Sequence, residues 1–291
     1  MPSQIKLQPG TLWNRVITTT EQALISGALL SIPTDCEIME DEGVNFVVRI
    51  LSNLTRKNQA KQKTPPDFNP FLPYEQNLWV ADVSDTHVCI LNKFNVVEHH
   101  LLIITRDFES QESLLTADDF IAMHACLADF DGLAFYNSGQ IAGASQKHKH
   151  LQIVPFSINE NNIKVPIEPL LASANFQDGV GTVEKFPFIH AFAKLNHDTL
   201  SSPTEAGKAT WEIYQNLLRV LNHNSKPSPY NLLATREWIL IVTRSHEEYK
   251  GISINSLGFA GNLLVGNLQQ LELLKQYRPM QILQQVAFPR S

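Results

Sequence analysis

Apolar positions recur with a helical period in some stretches of this chain and with a strand period in others, and the switching between them predicts its elements. A helix is expected over residues 11–27, with Thr11 at the N-cap and Gly27 as its stop. Strand-like runs follow at 46–50, 78–83, 88–91 and 101–105, the last two turned back on each other by the polar 92–100 connection. Thr116 and Asp119 stand at capping-box spacing, and Phe120, Met123, Leu127 and Phe130 recur behind them at helical spacing. Strands are expected again at 133–136 and 148–154. This order predicts an antiparallel α+β sheet with a helix on one face, its chemistry lying on the exposed side or edge.

A second block begins after about Ile158. Residues 186–195 are apolar enough for a strand, and Ser202-Pro203-Thr204-Glu205 gives an N-cap, a proline at the first helical position and a glutamate three residues after the cap. Tyr214, Leu217, Leu218 and Leu221 mark the inner side of that helix. Pro227 and Pro229 close the connection, 230–235 and 238–243 predict a hairpin turning at Arg236-Glu237, and 251–257 predicts a strand. The tail is expected to be helical from Asn262, restarting near Pro279. The division is thus into a region 1–158 with the candidate chemistry and a region 159–291 that completes it. No internal repeat is visible, so a duplicated fold and a catalytic half with a covering half both stay open.

Composition narrows the class. With 291 residues, 43% hydrophobic and 18% charged, the chain is an ordinary globular protein able to bury a large core. A formal net charge of -6 argues against general affinity for nucleic acid. Cys36, Cys89 and Cys126 supply neither a disulfide framework nor a zinc ribbon, which suits a reducing compartment, and the last two sit in apolar runs as buried thiols. No N-terminal leader pattern and no apolar run near the ~20 residues of a bilayer span is present. The expectation is a soluble, cytoplasmic protein with no membrane partner. The polar connection 52–66, with Arg56, Lys57, Lys61 and Lys63, is either a solvated loop or a cationic flap over a polyphosphate.

The candidate chemistry lies in residues 143–155, Gly-Ala-Ser-Gln-Lys-His-Lys-His-Leu-Gln-Ile-Val-Pro. In a strand, His148, His150 and Gln152 share one face. A turn with backbone N–H donors, preceded by Asn137, Ser138 and Gly139, stands before them, as an imidazole nucleophile aimed at a phosphate would need. Two histidines two residues apart could instead form only structural hydrogen bonds or bind an ion, but Gln152 is a poor third ligand, and no protein metal site is expected.

This wording resembles the His-x-His-x-Gln signature of the histidine-triad superfamily, and within it the diadenosine tetraphosphate phosphorylases, also called ATP adenylyltransferases. The resemblance covers about residues 44–265. It includes Asn69-Pro70-Phe71-Leu72-Pro73, Leu91-Asn92-Lys93-Phe94 with the following His100-Leu101-Leu102-Ile103-Ile104, Tyr230-Asn231-Leu232-Leu233 and the 251–261 segment. It implies a histidine-triad-like antiparallel sheet with packed helices and a C-terminal α+β extension.

The resemblance also implies the roles. His150 is the nucleophile, and the His148 carbonyl fixes its tautomer. Gln152 stands where the hydrolase branches carry a third histidine, and a carboxamide binds a phosphate oxygen but shuttles no proton, which points to transfer onto phosphate. Gly143, Ala144, Ser145 and Gln146 hold phosphate oxygens, Asn137 orients one of them, and Asn92, eight residues before His100, holds ribose. Lys57 meets the polyphosphate, and Asn255 and Ser256 contact nucleotide or phosphate. Asn262 and Gly266 depart from the eukaryotic pattern, where a methionine and a lysine contribute. The expected reaction is phosphorolysis of diadenosine 5′,5‴-P1,P4-tetraphosphate to ADP and ATP, the partners being diadenosine tetraphosphate, ATP, ADP and phosphate. No cofactor is expected to stay bound, Mg²⁺ arriving with the polyphosphate. The alternatives are a hexose-1-phosphate uridylyltransferase, whose cysteine-bearing metal pattern is absent, and a non-catalytic dinucleotide sensor, which would have no need of the nucleophile.

Overall fold

The computed structural model describes residues 4–51, 68–156, 164–196, 202–221 and 228–290. Helix α1 (Leu12–Ser26) is followed by strands β1 (Thr34–Asp41), β2 (Val44–Leu51), β3 (Trp79–Asp82), β4 (His87–Leu91) and β5 (Leu101–Thr105). Helix α2 (Ala117–Leu127) then leads into β6 (Gly132–Asn137) and β7 (His150–Pro155). Next come α3 (Glu168–Leu171), β8 (Asn175–Gln177), β9 (Val180–Thr182), β10 (His190–Lys194), α4 (Pro203–Val220), β11 (Tyr230–Ala234) and β12 (Trp238–Thr243). The chain finishes with β13 (Glu248–Tyr249), β14 (Ile252–Ser253), α5 (Ser256–Phe259), β15 (Asn262–Val265), α6 (Leu268–Tyr277) and α7 (Pro279–Val286).

A ten-stranded antiparallel sheet in the order β3-β4-β5-β7-β6-β11-β12-β10-β9-β8 dominates the molecule. The β6–β11 pairing, Asn137↔Asn231 to Ala134↔Ala234, makes one sheet of strands from both ends of the chain. A smaller sheet, β1-β2-β15, has β15 parallel to β2. Strand alternation divides the core. Leu151 and Ile153 of β7 point into a cluster with Leu12 and Val16 of α1, Phe120 and Met123 of α2, and Tyr214 and Leu217 of α4. Val154, Phe135 and Leu240 point the other way, against Phe46, Phe259, Leu263 and Leu283. Beside this second cluster, Phe71 covers Val88, Ile90, Leu102 and Ile104.

The capping predictions meet different fates. At α2 the Thr116 hydroxyl takes the Asp119 N–H while the Asp119 carboxylate takes the Thr116 N–H, a complete capping box. Ser202 likewise accepts from the Glu205 N–H, with Pro203 opening α4. Gly27 stops α1 in the left-handed region, φ 73°. Thr11 precedes α1 but does not cap it: its hydroxyl turns back to the Gln8 carbonyl, and the Asp129 carboxylate takes the Gly10 and Leu12 N–H groups.

Two expectations are corrected, and one strand is new. Residues 251–257 are not one strand: β14 is short, and the Asn255 side chain accepts from the Leu257 N–H to start α5. Residues 262–265 are a strand rather than helix, since Leu263 and Val265 alternate into the core while β15 pairs with β2. Strand β1 went unforeseen because its residues are mostly polar or exposed and gain their place by pairing with β2. Among the described residues no helix is long and apolar enough to cross a membrane.

Candidate active site

Strand β7 lies inside the large sheet, between β5 and β6, so the expectation of an exposed side or edge does not hold. His150 is 4% and Gln152 9% exposed. Both faces of β7 are covered, one by helices, the other by the Phe71 segment and by residues near the C-terminus. The strand itself starts at His150, while His148 forms an isolated bridge with Ser110.

Each ring of the motif has a defined tautomer. The Nδ1–H of His150 donates to the His148 carbonyl at 2.8 Å, and its Nε2 has no hydrogen-bond partner among the described residues. Burial lowers the His150 imidazole from 6.5 to about 4, with the nearby His148 lowering it further against the opposing His148 carbonyl bond, so the ring is neutral near pH 7. His148 points its Nε2–H at the Thr105 carbonyl, 2.8 Å away, and its Nδ1 accepts from Asn69 Nδ2 at 2.9 Å. The Phe71 ring stands edge-on to both histidines, at 5.6 and 5.3 Å between centroids.

Gln152 is oriented by a relay. Asn92 Nδ2 donates to His100 Nδ1 at 3.1 Å, and His100 Nε2–H donates to Gln152 Oε1 at 2.9 Å. The carboxamide oxygen is thereby held back and Nε2 is left as a donor without a protein partner among the described residues. Asn92 therefore reaches the site through His100, and its own oxygen accepts from the Phe94 N–H.

Facing this strand, Asn137 ends β6. Its Oδ1 accepts from Asn231 Nδ2 at 2.8 Å and from the Ser256 N–H and hydroxyl at 2.9 and 2.7 Å, which leaves Nδ2 as the open donor. Ser256 is fully buried and grips Asn137 and the Tyr136 carbonyl; it presents no free surface to a ligand. In the following turn, the Gly143 and Ala144 N–H groups are spent on the Gln140 and Gly139 carbonyls. Only the Ser145 and Gln146 amides of that turn donate to nothing among the described residues. Gly143, at φ 89°, lies so close to the C-terminal segment that a Cβ there would come within 2.7 Å of the Ile254 carbonyl and 2.9 Å of Asn255 Cβ. That contact brings Asn255 beside the turn.

Arg244 underlies the turn and is 1% exposed. Its guanidinium donates to Asn231 Oδ1 and to the Ala142, Ile254, His246 and Glu247 carbonyls, and Phe259 covers its face. Lys57 and the other cations of the 52–66 connection lie outside the described residues. Sequence reasoning missed Arg244, Gln111 and Lys149. For Lys149 a signal existed, since it stands in the apolar phase of Leu151 and Ile153; for Gln111, within a polar stretch, there was none. Among the described residues no group of three or more His, Cys, Asp or Glu is arranged to hold a metal ion.

Residues 2–173 match the family model described as the Ap4A phosphorylase N-terminal domain, and residues 184–289 match the ATP adenylyltransferase C-terminal domain. Over 249 residues the chain is 30% identical to the diadenosine 5′,5‴-P1,P4-tetraphosphate phosphorylase 2 of Saccharomyces cerevisiae, covering 76% of this chain and 74% of that protein. It is 28% identical to protein APA1 of the same yeast, covering 89% and 88%. The crystal structure of yeast Ap4A phosphorylase Apa2 in complex with Ap4A superposes with a TM-score of 0.80 at 25% identity, covering 98% of this chain and 100% of that one.

Proposed function

Because the chain belongs to the Ap4A phosphorylase and ATP adenylyltransferase family, we propose that it cleaves diadenosine 5′,5‴-P1,P4-tetraphosphate with inorganic phosphate, giving ADP and ATP through an adenylyl–His150 intermediate. The observation that carries this is the His150 ring: Nδ1–H tied to the His148 carbonyl, with Nε2 unpartnered among the described residues on the strand face it shares with Gln152. The Nε2 lone pair forms a bond to the α-phosphorus, and the bond from that phosphorus to the ATP leaving group breaks. Positive charge on the ring is met by the His148 carbonyl. A phosphate oxygen then attacks the same phosphorus, the P–N bond breaks, ADP leaves and the ring returns neutral. In reverse, ADP adenylylates His150 and releases phosphate, and ATP then accepts the group.

Gln152 Nε2, Asn137 Nδ2 and the Ser145 and Gln146 amides hold the oxygens on which charge develops. Gly143 and Ala144 shape that turn, and Ser256 acts by fixing Asn137. Asn92 meets ribose with the amide hydrogen and oxygen lone pair its protein contacts leave over. Asn255 meets nucleotide or phosphate beside the turn, and Lys57 meets the polyphosphate. Residues 1–158 thus carry the transfer chemistry and residues 159–291 complete the nucleotide site. Mg²⁺, where it takes part, comes with the polyphosphate.

Phosphorolysis rather than hydrolysis follows from the chemistry of Gln152. Attacking water must lose a proton, which a carboxamide cannot accept, whereas phosphate brings an oxygen already deprotonated. The test is to mix the protein with diadenosine tetraphosphate, with and without inorganic phosphate, and separate the products. Equal ADP and ATP, formed only with phosphate, are expected. AMP plus ATP in phosphate-free buffer would make it a hydrolase, and binding without turnover a sensor.

A further inference from the structure

Between β6 and β7 the ladder runs from Gly132↔Pro155 to Phe135↔Gln152 and then stops, although β7 stays paired with β5 as far as Ile104↔His150. Continued in register, Asn137 would face His150. Between these two main chains lies the side chain of Gln111. Its Oε1 accepts the His150 N–H at 2.8 Å, and its Nε2 donates to the Asn137 carbonyl at 2.9 Å and lies 3.3 Å from the His150 carbonyl. Gln111 is itself held: its N–H donates to the Lys147 carbonyl at 2.8 Å, its carbonyl accepts from the Tyr136 hydroxyl at 2.6 Å, and it is 1% exposed.

A direct ladder would hold two strands about 4.8 Å apart. A carboxamide inserted as a rung holds them wider, at the level where the His150 ring and the Asn137 amide must admit a phosphate between them. We infer that Gln111 is a positioning residue for nucleotidyl transfer, its carboxamide setting the distance between the nucleophile His150 and the phosphate-holding Asn137. This builds on the phosphorolysis reading above. Gln111 touches no substrate. Its effect passes through the main chain of the two residues that do.

The test compares Gln111→Met with Gln111→Glu. Methionine matches the length but leaves the His150 N–H unpartnered and the Asn137 carbonyl with the Gly139 N–H alone, so the rung is lost, and kcat is expected to fall about 100-fold with KM within about threefold. A glutamate in its charged form cannot donate to Asn137, but once protonated it both donates and accepts, as the amide does. Its buried carboxyl titrates high, so relative to wild type the kcat of Gln111→Glu should recover at least about tenfold between about pH 8 and about pH 6. Gln111→Met should show no such recovery, and a packing defect would depress both variants alike at every pH. A Gln111→Met enzyme within about twofold of wild type, or a Gln111→Glu profile parallel to wild type, overturns the inference.

If the wild-type protein does not consume the dinucleotide, the phosphorolysis reading fails, and nitrogen NMR of the free protein decides the role of Gln111. His150 should be a single Nδ1–H tautomer in wild type and a mixture in Gln111→Met. Unchanged ring signals would overturn the inference whatever the substrate.

Discussion

Lys149 and His150 are neighbours at the start of β7 and point to opposite sides of the sheet, amid polar groups organised in opposite ways. On the helix side, the Lys149 ammonium, 1% exposed, meets Glu109 at 2.8 Å and Asp119 at 2.9 Å. Asp119 also receives His87 at 3.0 Å and closes the capping box of α2. Despite the cost of burial, these partners hold the Asp119 carboxyl down to about 2. Both oxygens of the Asp119 carboxylate are saturated there. On the other face His150, Gln152 and Asn137 each have one polar atom tied down and one left over among the described residues. Saturation stabilises the fold, whereas leftover bonding capacity in a covered site indicates where a ligand belongs.

Substitutions should separate the two faces. His150→Ala is expected to lower phosphorolysis by about 10,000-fold or more, while the denaturant midpoint hardly moves; turnover left intact would sink the nucleophile assignment. Lys149→Met strands Asp119 and Glu109 without their cation, and a loss of about 3 kcal/mol in unfolding free energy is expected from urea titration. A wild-type unfolding curve for this variant would mean the buried pair contributes nothing. Gln152→Glu keeps the acceptor for His100 but turns a phosphate donor into a negative charge. Its kcat should fall about 100-fold with stability kept, and equal losses in both would erase the distinction between the faces.

Acid should resolve the faces gradually. His100 and His150 have imidazole values lowered from 6.5 to about 4, first by burial. The unfolded chain therefore takes up protons that the folded one refuses, and stability falls as pH drops from 6.5 toward 4, by roughly 1 kcal/mol per ring at about pH 6. Asp119 acts later: its contribution is present above the ordinary carboxyl value of 3.8 and is lost as pH falls through about 2. Unfolding free energies across this range should show two successive losses, the first diminished in His150→Ala and the second in Lys149→Met.

Much of this was legible in the chain, and the failures have physical causes. The His148, His150 and Gln152 spacing, the Thr116–Asp119 box and the hairpin of β11 and β12 are local patterns, and local geometry realises them. Strand β1 and residues 262–265 depend on partners far along the chain. So does the site's enclosure: nothing local says that β7 inserts between β5 and β6, because β5 lies nearly fifty residues upstream. Ser256 looked like a ligand contact because its segment matched the family, yet only the fold shows its hydroxyl turned to Asn137.

Arg244 has an electrical consequence. Its hydrogen-bond acceptors are uncharged carbonyls and one carboxamide, and no ion pair to it is found among the described residues. Burial lowers its guanidinium only to about 10, so it stays charged at neutral pH. The Glu247 carboxylate lies near enough to raise that value but forms no ion pair with Arg244, so in low-dielectric surroundings part of the guanidinium field is left uncancelled. Its contact with the Ala142 carbonyl sets it under the turn that leads to Ser145 and Gln146. In a protein of net charge -6, Arg244 thus makes a local well of positive potential beneath the place where a polyanion would dock.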